Sequence, residues 1–506
     1  MGYNISDMIQ GFHTALMPIN LLFVVIGGFL GTIVGMLPGL GPATAVAVLI
    51  PITFGMDPIS ALILMAAIYY GAMYGGSRSS ILLNTPGDGS AIAATFDGYP
   101  MAKKGQAGQA LAMSAIASLI GGLIAVVGFI LLAGPLAKFA LKFGPAEYFL
   151  LFLFTLSAIV SLSKGAMVKG FISMAVGLLL STVGIDQQTG VYRFTFGISQ
   201  LSDGIDFLVV IIGIYAVGEV LYNLIGIDKL SSKGKKGVGK IWITKEQWKR
   251  SLGPILRSGP IGFVIGCLPG AGGSIASMLS YTTEKQISKR PDEFGKGAIE
   301  GLAAPESSNN AASVGAMIPL LTMGIPGSGT TAVMLGALVM IGLRPGPLLF
   351  KDSPDMVWSL IDSMFIGNIF LVIINILLVG LLVKILDTPP KVLYPIILVL
   401  AFVGTYTMNY SIVDFYLLMI FGIIGLVMKL LKFPIAPLIL ALIVGGDMEQ
   451  NFRKSLVSSN GDLGVFFHSG ISITLIVLTL LSLTYPFIIQ WFKKRKKSAD
   501  PANESM

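Results

Sequence analysis

Gly31-Thr32-Ile33-Val34-Gly35-Met36-Leu37-Pro38-Gly39-Leu40-Gly41-Pro42 is a proline–glycine break set inside a long apolar stretch. Proline removes a backbone donor and glycine relaxes the helix, so a helix is expected to be interrupted here. The break returns at Gly262-Phe263-Val264-Ile265-Gly266-Cys267-Leu268-Pro269-Gly270-Ala271-Gly272-Gly273. A related pair reads Asn84-Thr85-Pro86-Gly87-Asp88-Gly89-Ser90 and Gly324-Ile325-Pro326-Gly327-Ser328-Gly329-Thr330. Such backbone is costly in hydrocarbon unless it lines a cavity. The four breaks are therefore expected to meet at one buried site.

The apolar setting follows from composition. Charged residues make up 12% of the 506, where a soluble domain carries roughly 25%. With 54% hydrophobic residues and several runs long enough to span a bilayer, the chain reads as an all-α polytopic membrane protein. The net charge of +8 comes from lysines and arginines clustered at segment ends, which sets topology and gives no sign of nucleic acid as a partner. One cysteine and two histidines exclude a disulfide framework and a cysteine- or histidine-based metal site. No signal peptide is expected.

Along the chain, residues 1–18 read as an N-terminal interfacial segment. The first transmembrane repeat is expected over 19–226. It opens with two arms of about 16 residues around Pro38-Gly39, short enough for a re-entrant hairpin. An apolar segment from Pro58 runs into the Pro86-Gly87 break. Spans follow near 110–133, 147–163, 167–184 and 205–226, with polar stretches at 97–109 and 186–206. Asp97-Gly98-Tyr99-Pro100 reads as a turn at the membrane edge. Residues 227–254 form a basic cytoplasmic linker. The second repeat, 255–491, has short arms around Pro269-Gly270, a run at 298–323, and spans near 356–386, 392–408, 411–431 and 470–491. A short segment at 434–446 precedes a polar loop to Asp462. The tail, 492–506, carries Lys493-Lys494-Arg495-Lys496-Lys497.

The duplication can be measured. Gly31, Gly35, Pro38 and Gly39 match Gly262, Gly266, Pro269 and Gly270, each 231 residues on. Pro86, Gly87 and Gly89 match Pro326, Gly327 and Gly329, each 240 on. Basic loops near Lys103, Lys164 and Lys236 are expected inside, which puts Asp57, Gly144 and Asp186 outside. In the second half Lys289, Lys391 and Lys429 mark inside loops. Equivalent positions fall on opposite sides, so two inverted-topology repeats with re-entrant hairpins and broken helices are expected, the plan of secondary transporters. Lys138 and Lys142 fit only on an interfacial arm. The C-terminus is expected in the cytoplasm and the N-terminus in the periplasm.

The breaks carry the chemistry. A half-helix N-terminus attracts carboxylates, and a half-helix C-terminus offers carbonyls that suit Na⁺. Candidate substrate contacts at the tips are Pro38, Gly39, Gly41, Pro269, Gly270 and Gly272, with Asn84, Gly327, Ser328 and Thr330 at the second pair. Side chains that could select a carboxylate are Arg78, Ser79, Ser80, Ser307, Ser308, Asn309 and Asn310. Arg78 could instead snorkel or pair with Asp88 or Glu306, and Ser307 or Ser308 could cap a helix start. Candidate cation ligands are Gly39, Thr85, Gly87, Asp88, Gly270, Glu306, Ile325 and Gly327. Walker, zinc-helix and nucleophile-elbow motifs do not occur, so no enzyme is read here and transport would draw on an ion gradient. An ion or anion channel remains as the alternative, and so does a carrier for a different small carboxylate.

The stretches Gly31–Pro42, Asn84–Ser90, Ala304–Ala312 and Gly324–Thr330 resemble the large membrane subunit of tripartite tricarboxylate transporters, the TctA family, and the likeness covers about residues 20–490. The resemblance implies a permease of the bacterial inner membrane working with a small membrane subunit and a periplasmic solute-binding protein. It implies organic carboxylates such as citrate as substrates, with Na⁺ as the coupling ion and no cofactor. An elevator-like movement is expected by analogy with other inverted-repeat carboxylate carriers.

Overall fold

The computed structural model describes residues 5–37, 40–161, 167–186, 188–225, 239, 241–386 and 390–499. In chain order its helices are α1 (Ile5–Ala15), α2 (Pro18–Met36), α3 (Gly41–Leu49), α4 (Pro58–Leu83), α5 (Ile92–Lys103), α6 (Ala107–Ala140), α7 (Pro145–Ser161) and α8 (Met167–Ser181). Next comes α9 (Phe207–Ile225), which contains a π-helical stretch at Ile212–Val217. The second half runs α10 (Lys245–Gly266), α11 (Gly272–Ile287), α12 (Ile299–Gly315), α13 (Met317–Met323) and α14 (Gly329–Met340). It continues with α15 (Pro354–Leu377), α16 (Val379–Leu386), α17 (Pro390–Asn409), α18 (Ile412–Leu430), α19 (Ile435–Ser458) and α20 (Gly470–Ala499). Among the described residues α2, α4, α6, α9, α15 and α18 are long and apolar enough to cross a membrane, and the chain is a multi-pass helical membrane protein.

Two compact units divide the chain, and each draws on both halves of the sequence. The first comprises Met1–Leu141 and Ile205–Leu431, the second Lys142–Gly204 and Lys432–Met506. All four breaks fall in the first unit.

At the centre of the first unit lie α4 and α12. Residues Ser60–Ile81 of α4 and all of α12 are buried. Close approach of main chains explains the glycines of the opening motif. A Cβ at Gly31 would run into the Ile68 carbonyl and one at Gly35 into Ala72, so α2 lies directly on α4. Likewise a Cβ at Gly262 would meet the Ser308 carbonyl and one at Gly266 Ala312, so α10 lies directly on α12. Ile68 and Ala72 precede Ser308 and Ala312 by 240 residues, the spacing of the Pro86 and Pro326 breaks. The next helices cross over: α6 packs on α10 and α12, while α15 packs on α2 and α4. Apolar clusters close the edges, one around Ile81, Met101, Leu111, Ile255 and Leu302, another around Leu40, Val209, Tyr394 and Leu418.

In the second unit α19 packs on α7 and α8, and α20 on α7. Phe149, Phe452 and Phe466 form an aromatic cluster with centroids 5.0–5.7 Å apart.

Several sequence-based boundaries move. The segment expected to end at 446 continues as α19 to Ser458, because Glu449 pairs with Arg193 at 2.9 Å and Arg453 with Asp186 at 2.9 Å. These partners lie far away in sequence and remove the reason to read 447–462 as loop. The expected polar loop at 186–206 is bordered by a two-residue antiparallel pairing, Gly184–Ile185 with Tyr192–Arg193, so the fold is not purely helical. The arms are unequal: α2 has 19 residues and α3 only 9. The helix expected from 255 starts at Lys245, where Thr244 and Gln247 form a capping box. Residues 227–238 and 240 of the expected linker, the adjoining residue 226 and residues 500–506 of the tail lie outside the described residues. Within the expected N-terminal interfacial segment, α1 packs on α15, with Phe12 edge-on to Phe365 at 6.3 Å.

The Asp97 turn is also corrected. Asp97 lies inside α5 and is fully buried. Its Oδ1 accepts from the amides of Gly295 (2.9 Å), Gly297 (2.7 Å) and Ala298 (2.8 Å), and its Oδ2 from the Tyr281 hydroxyl (3.1 Å). Three amides on one carboxylate oxygen fasten the loop before α12 to α5, which a turn-forming Asp-Gly-x-Pro string does not foretell.

Candidate functional site

Helix α4 ends at Asn84 in the left-handed region (φ 59°), and α13 ends the same way at Gly324 (φ 72°). Asparagine and glycine are the residues that tolerate this helix stop. The chain then runs extended through Asp88 and Ser328. Ser328 caps α14 through a reciprocal pair with Thr331, Ser328 N–H donating to Thr331 Oγ1 at 2.8 Å. Gly41 and Gly272, with φ of 52° and 57°, open α3 and α11. Gly41 faces the Cβ of Asp88, and Gly272 faces the Cβ of Ser328. The Gly270 amide donates to the Gly327 carbonyl at 3.0 Å. Gly87 lies so close to Gly35 and Gly76, and Gly327 to Gly266 and Ala316, that neither could carry a side chain without displacing main chain.

Contacts between the halves join these pieces. Gly89 lies against Ser274, and a Cβ on Gly273 would stand 2.5 Å from Asn309 Oδ1 and 3.1 Å from the Ser90 Cβ. The Asp88–Ser90 stretch, the start of α11, Ser328 and Asn309 are thus brought to one place. Pro38 and Gly39 lie outside the described residues, and the roles expected of them go with them.

A polar layer surrounds this meeting point. Glu306 Oε2 accepts from the hydroxyls of Ser77 (2.8 Å), Ser114 (2.9 Å) and Ser118 (3.2 Å), contributed by α4 and α6. Asn310 Nδ2 donates to Ser118 Oγ at 2.7 Å. Tyr70, Tyr74 and Arg78 are four residues apart, so they share a face of α4. Buried polar atoms normally find partners. Here both amide atoms of Asn309, Asn310 Oδ1, Ser308 Oγ, Thr85 Oγ1, Arg78 Nη1 and the hydroxyls of Tyr70 and Tyr74 have none among the described residues. Such a set can take a ligand that carries both donors and acceptors.

A family model described as the tripartite tricarboxylate transporter TctA family matches residues 21–440. The chain belongs to this family. It is thereby a large membrane subunit of the tripartite tricarboxylate transporter type, a transporter family and not an enzyme family. It is similar to an Agrobacterium vitis protein described as "Uncharacterized 52.8 kDa protein in TAR-I ttuC' 3'region", 43% identical over 97% of this chain and 98% of that one. A second Agrobacterium vitis protein, "Uncharacterized protein in TAR-II ttuC' 3'region", is 43% identical over 44% of this chain and 91% of its own length. No solved structure matches the chain.

In this TctA-family subunit the side chains expected to select a carboxylate divide into two groups. Asn309, Asn310, Ser308 and Arg78 keep unpartnered atoms, as above. Ser79 and Ser80 donate to the Gly76 carbonyl (3.1 and 2.9 Å), and Ser307 to that of Ile255 (2.9 Å), so these hydroxyls are spent on main chain. Ser307 and Ser308 sit in mid-helix, which removes the capping alternative. Arg78 pairs with neither Asp88 nor Glu306. Its Nε donates to Asn375 Oδ1 at 2.5 Å and its Nη2 to the Asn375 carbonyl at 2.7 Å. Asp88 accepts from Ser90 Oγ at 2.7 Å. Ile325 and Thr85 send their amides back to Pro319 (3.1 Å) and Ser79 (3.4 Å), which tightens both helix ends. Thr330 stands at the second position of α14, and Asn84 is exposed.

Sequence reasoning missed Ser114, Ser118, Tyr70, Tyr74 and Asn375 as members of the layer. Asn375 had a signal: it is an amide in an apolar span that also carries Asp362 and Asn368, and polar residues in such spans face the bundle interior. The serines had none, since isolated serines are common in membrane helices.

Proposed function

We propose that this subunit imports organic carboxylates, tricarboxylates among them, by symport with a cation, Na⁺ by preference. A periplasmic solute-binding protein delivers the substrate, and a small membrane subunit completes the transporter. The chain sits in the bacterial inner membrane with its C-terminus in the cytoplasm and its N-terminus in the periplasm. The observation that carries the reading is Asn309, buried with both amide atoms unpartnered where α11, α12 and the Asp88–Ser90 stretch meet. Its Nδ2 can donate to a carboxylate while Arg78 Nη1 supplies positive charge, and desolvated contacts of that kind are strong. Asp88 and Glu306 are the carboxylates available to a cation, together with the carbonyls of the helix ends at Thr85, Gly87, Gly270, Ile325 and Gly327.

The two halves are related as an inverted duplication. What supports this is the recurrence of the same main-chain contacts at constant spacing: Gly31 on Ile68 and Gly262 on Ser308, Gly41 on Asp88 and Gly272 on Ser328. The placing of all four breaks in one unit supports an elevator-type cycle, in which the break-bearing helices move as a body.

The test is uptake into proteoliposomes with binding protein supplied and Na⁺ varied. Asn309→Ala should cut carboxylate uptake at least tenfold, while Ser79→Ala, whose hydroxyl serves its own helix, should retain it. Wild-type uptake by Asn309→Ala would remove the site, and uptake indifferent to Na⁺ would remove the coupling ion.

A further inference from the structure

A groove of about 460 Å³ lies in the first unit, outside the polar layer. Its walls are Ala112 and Ile116 from the first turns of α6, and Ile376 and Leu377 from the last turn of α15. Trp248 of α10 and Ile241, Trp242 and Ile243 of the strip before it close the third side. The volume lies in the range of ligand sites, roughly 300–1,000 Å³. The lining contains no charged residue. That excludes a small polar solute and calls for a hydrocarbon chain.

Two of these walls are the ends of membrane-crossing helices, so the groove lies at the level where hydrocarbon gives way to headgroups. The tryptophans agree with that level, because indole rings collect at the membrane–water boundary. Trp242 is 86% exposed and Trp248 37%. Charge adds direction. Lys245 and Lys249 are exposed on α10, flanking Trp248, and neither forms an ion pair among the described residues. Arg250, beside them, is already occupied by Glu293 and Glu300. The carboxylate of Glu246 is the one opposing charge on that turn. The Gln247 side chain donates to Gln109 at 3.1 Å and ties this turn to α6, so the rim is built rather than incidental.

We propose that this groove holds an anionic phospholipid, one acyl chain against Ala112, Ile116 and Leu377 and the phosphate group at Lys245 and Lys249. One acyl chain between α6 and the end of α15 also touches Ile376, the neighbour of the Asn375 that holds Arg78.

The experiment uses the full chain in detergent and two probes, phosphatidylglycerol and phosphatidylethanolamine of equal chain length, with retained lipid counted by native mass spectrometry. Phosphatidylglycerol should be retained over phosphatidylethanolamine. The exposed double variant Lys245→Gln with Lys249→Gln should lose that preference by on the order of tenfold. A second readout follows Trp242 as the single tryptophan, the other three replaced by Phe. Phosphatidylglycerol with brominated acyl chains should quench it, and Ala112→Trp in the otherwise unchanged chain, filling the groove, should displace the retained lipid. Equal retention of both lipids, an undiminished preference in the lysine variant, or a groove shielded by a co-purifying polypeptide and not by lipid would each overturn the proposal.

Discussion

Gly262→Ala should damage both the fold and the site. The added Cβ would fall against the Ser308 carbonyl oxygen, far inside the 3.4–4 Å of ordinary contact. The obstacle is main chain, which has no rotamer to escape into, so α10 and α12 must separate. Overpacking of this kind costs about 1–3 kcal/mol, and the rigid obstacle puts it at the upper end. Replacing glycine by alanine within a helix returns about 0.8–1 kcal/mol. The net loss is then about 2 kcal/mol, a fall of a few degrees in the melting temperature of the purified protein. Gly380→Ala, in α16 with nothing within 4 Å of its added Cβ, is the control and should be neutral or stabilising by up to about 1 kcal/mol. Because Ser308 precedes Asn309, Gly262→Ala should also depress carboxylate uptake more than its loss of stability explains. Gly31→Ala, at the matching contact on Ile68, should behave alike. Equal melting temperatures for Gly262→Ala and Gly380→Ala would refute the packing argument.

Asp97→Ala leaves the Gly295, Gly297 and Ala298 amides without their acceptor, at a cost of about 2–4 kcal/mol once the exposed amides rehydrate; hydrogen exchange should rise at residues 293–298 and remain unchanged in α19. Asn375→Ala strands the Nε donor of the buried Arg78 while the bond to the Asn375 main-chain carbonyl remains, costing about 1–3 kcal/mol, and uptake should fall with it, whereas Asn375→Asp should keep the protein folded by retaining the acceptor. The Arg250 guanidinium hydrogen-bonded to Glu293 holds that carboxyl below its ordinary range. A depressed carboxylate stabilises fully above its unfolded pKa, roughly 4.3, and the contribution is lost as pH falls through the lower folded value. With Glu293 46% exposed the effect is small and weakened by salt. Protection of the amides at 292–298, relative to the intrinsic exchange rate at each pH, should therefore fall below about pH 4 at low ionic strength, and Glu293→Gln should abolish that pH dependence.

Much was legible in the sequence because its signals are local or compositional. Apolar length marks α2, α6, α15 and α18, and proline with glycine marks the helix ends near 84, 270 and 324. The matched glycines at 31, 35, 262 and 266 announced a recurring requirement, and its cause emerged as main chain against main chain. Where the reading failed, the deciding partner was distant. Residues 447–458 look like loop until Asp186 and Arg193 are set beside them. Asp97 looks like a turn residue until three amides from beyond position 290 converge on it. Lone serines on α6 carry no mark, yet Ser114 and Ser118 join Ser77 of α4 on one oxygen of Glu306.

By itself the sequence determined the class of protein, the family and the places where helices must break, since hydropathy, proline and glycine act on the residues that carry them. Tertiary structure decided which polar atoms remain unpartnered. It consumed Ser79, Ser80 and Ser307 on carbonyls, turned Arg78 toward Asn375 and left Asn309 unpaired. Hydrogen-bond satisfaction depends on every neighbour within about 3 Å, and in a helical bundle those neighbours come from segments tens to hundreds of residues away.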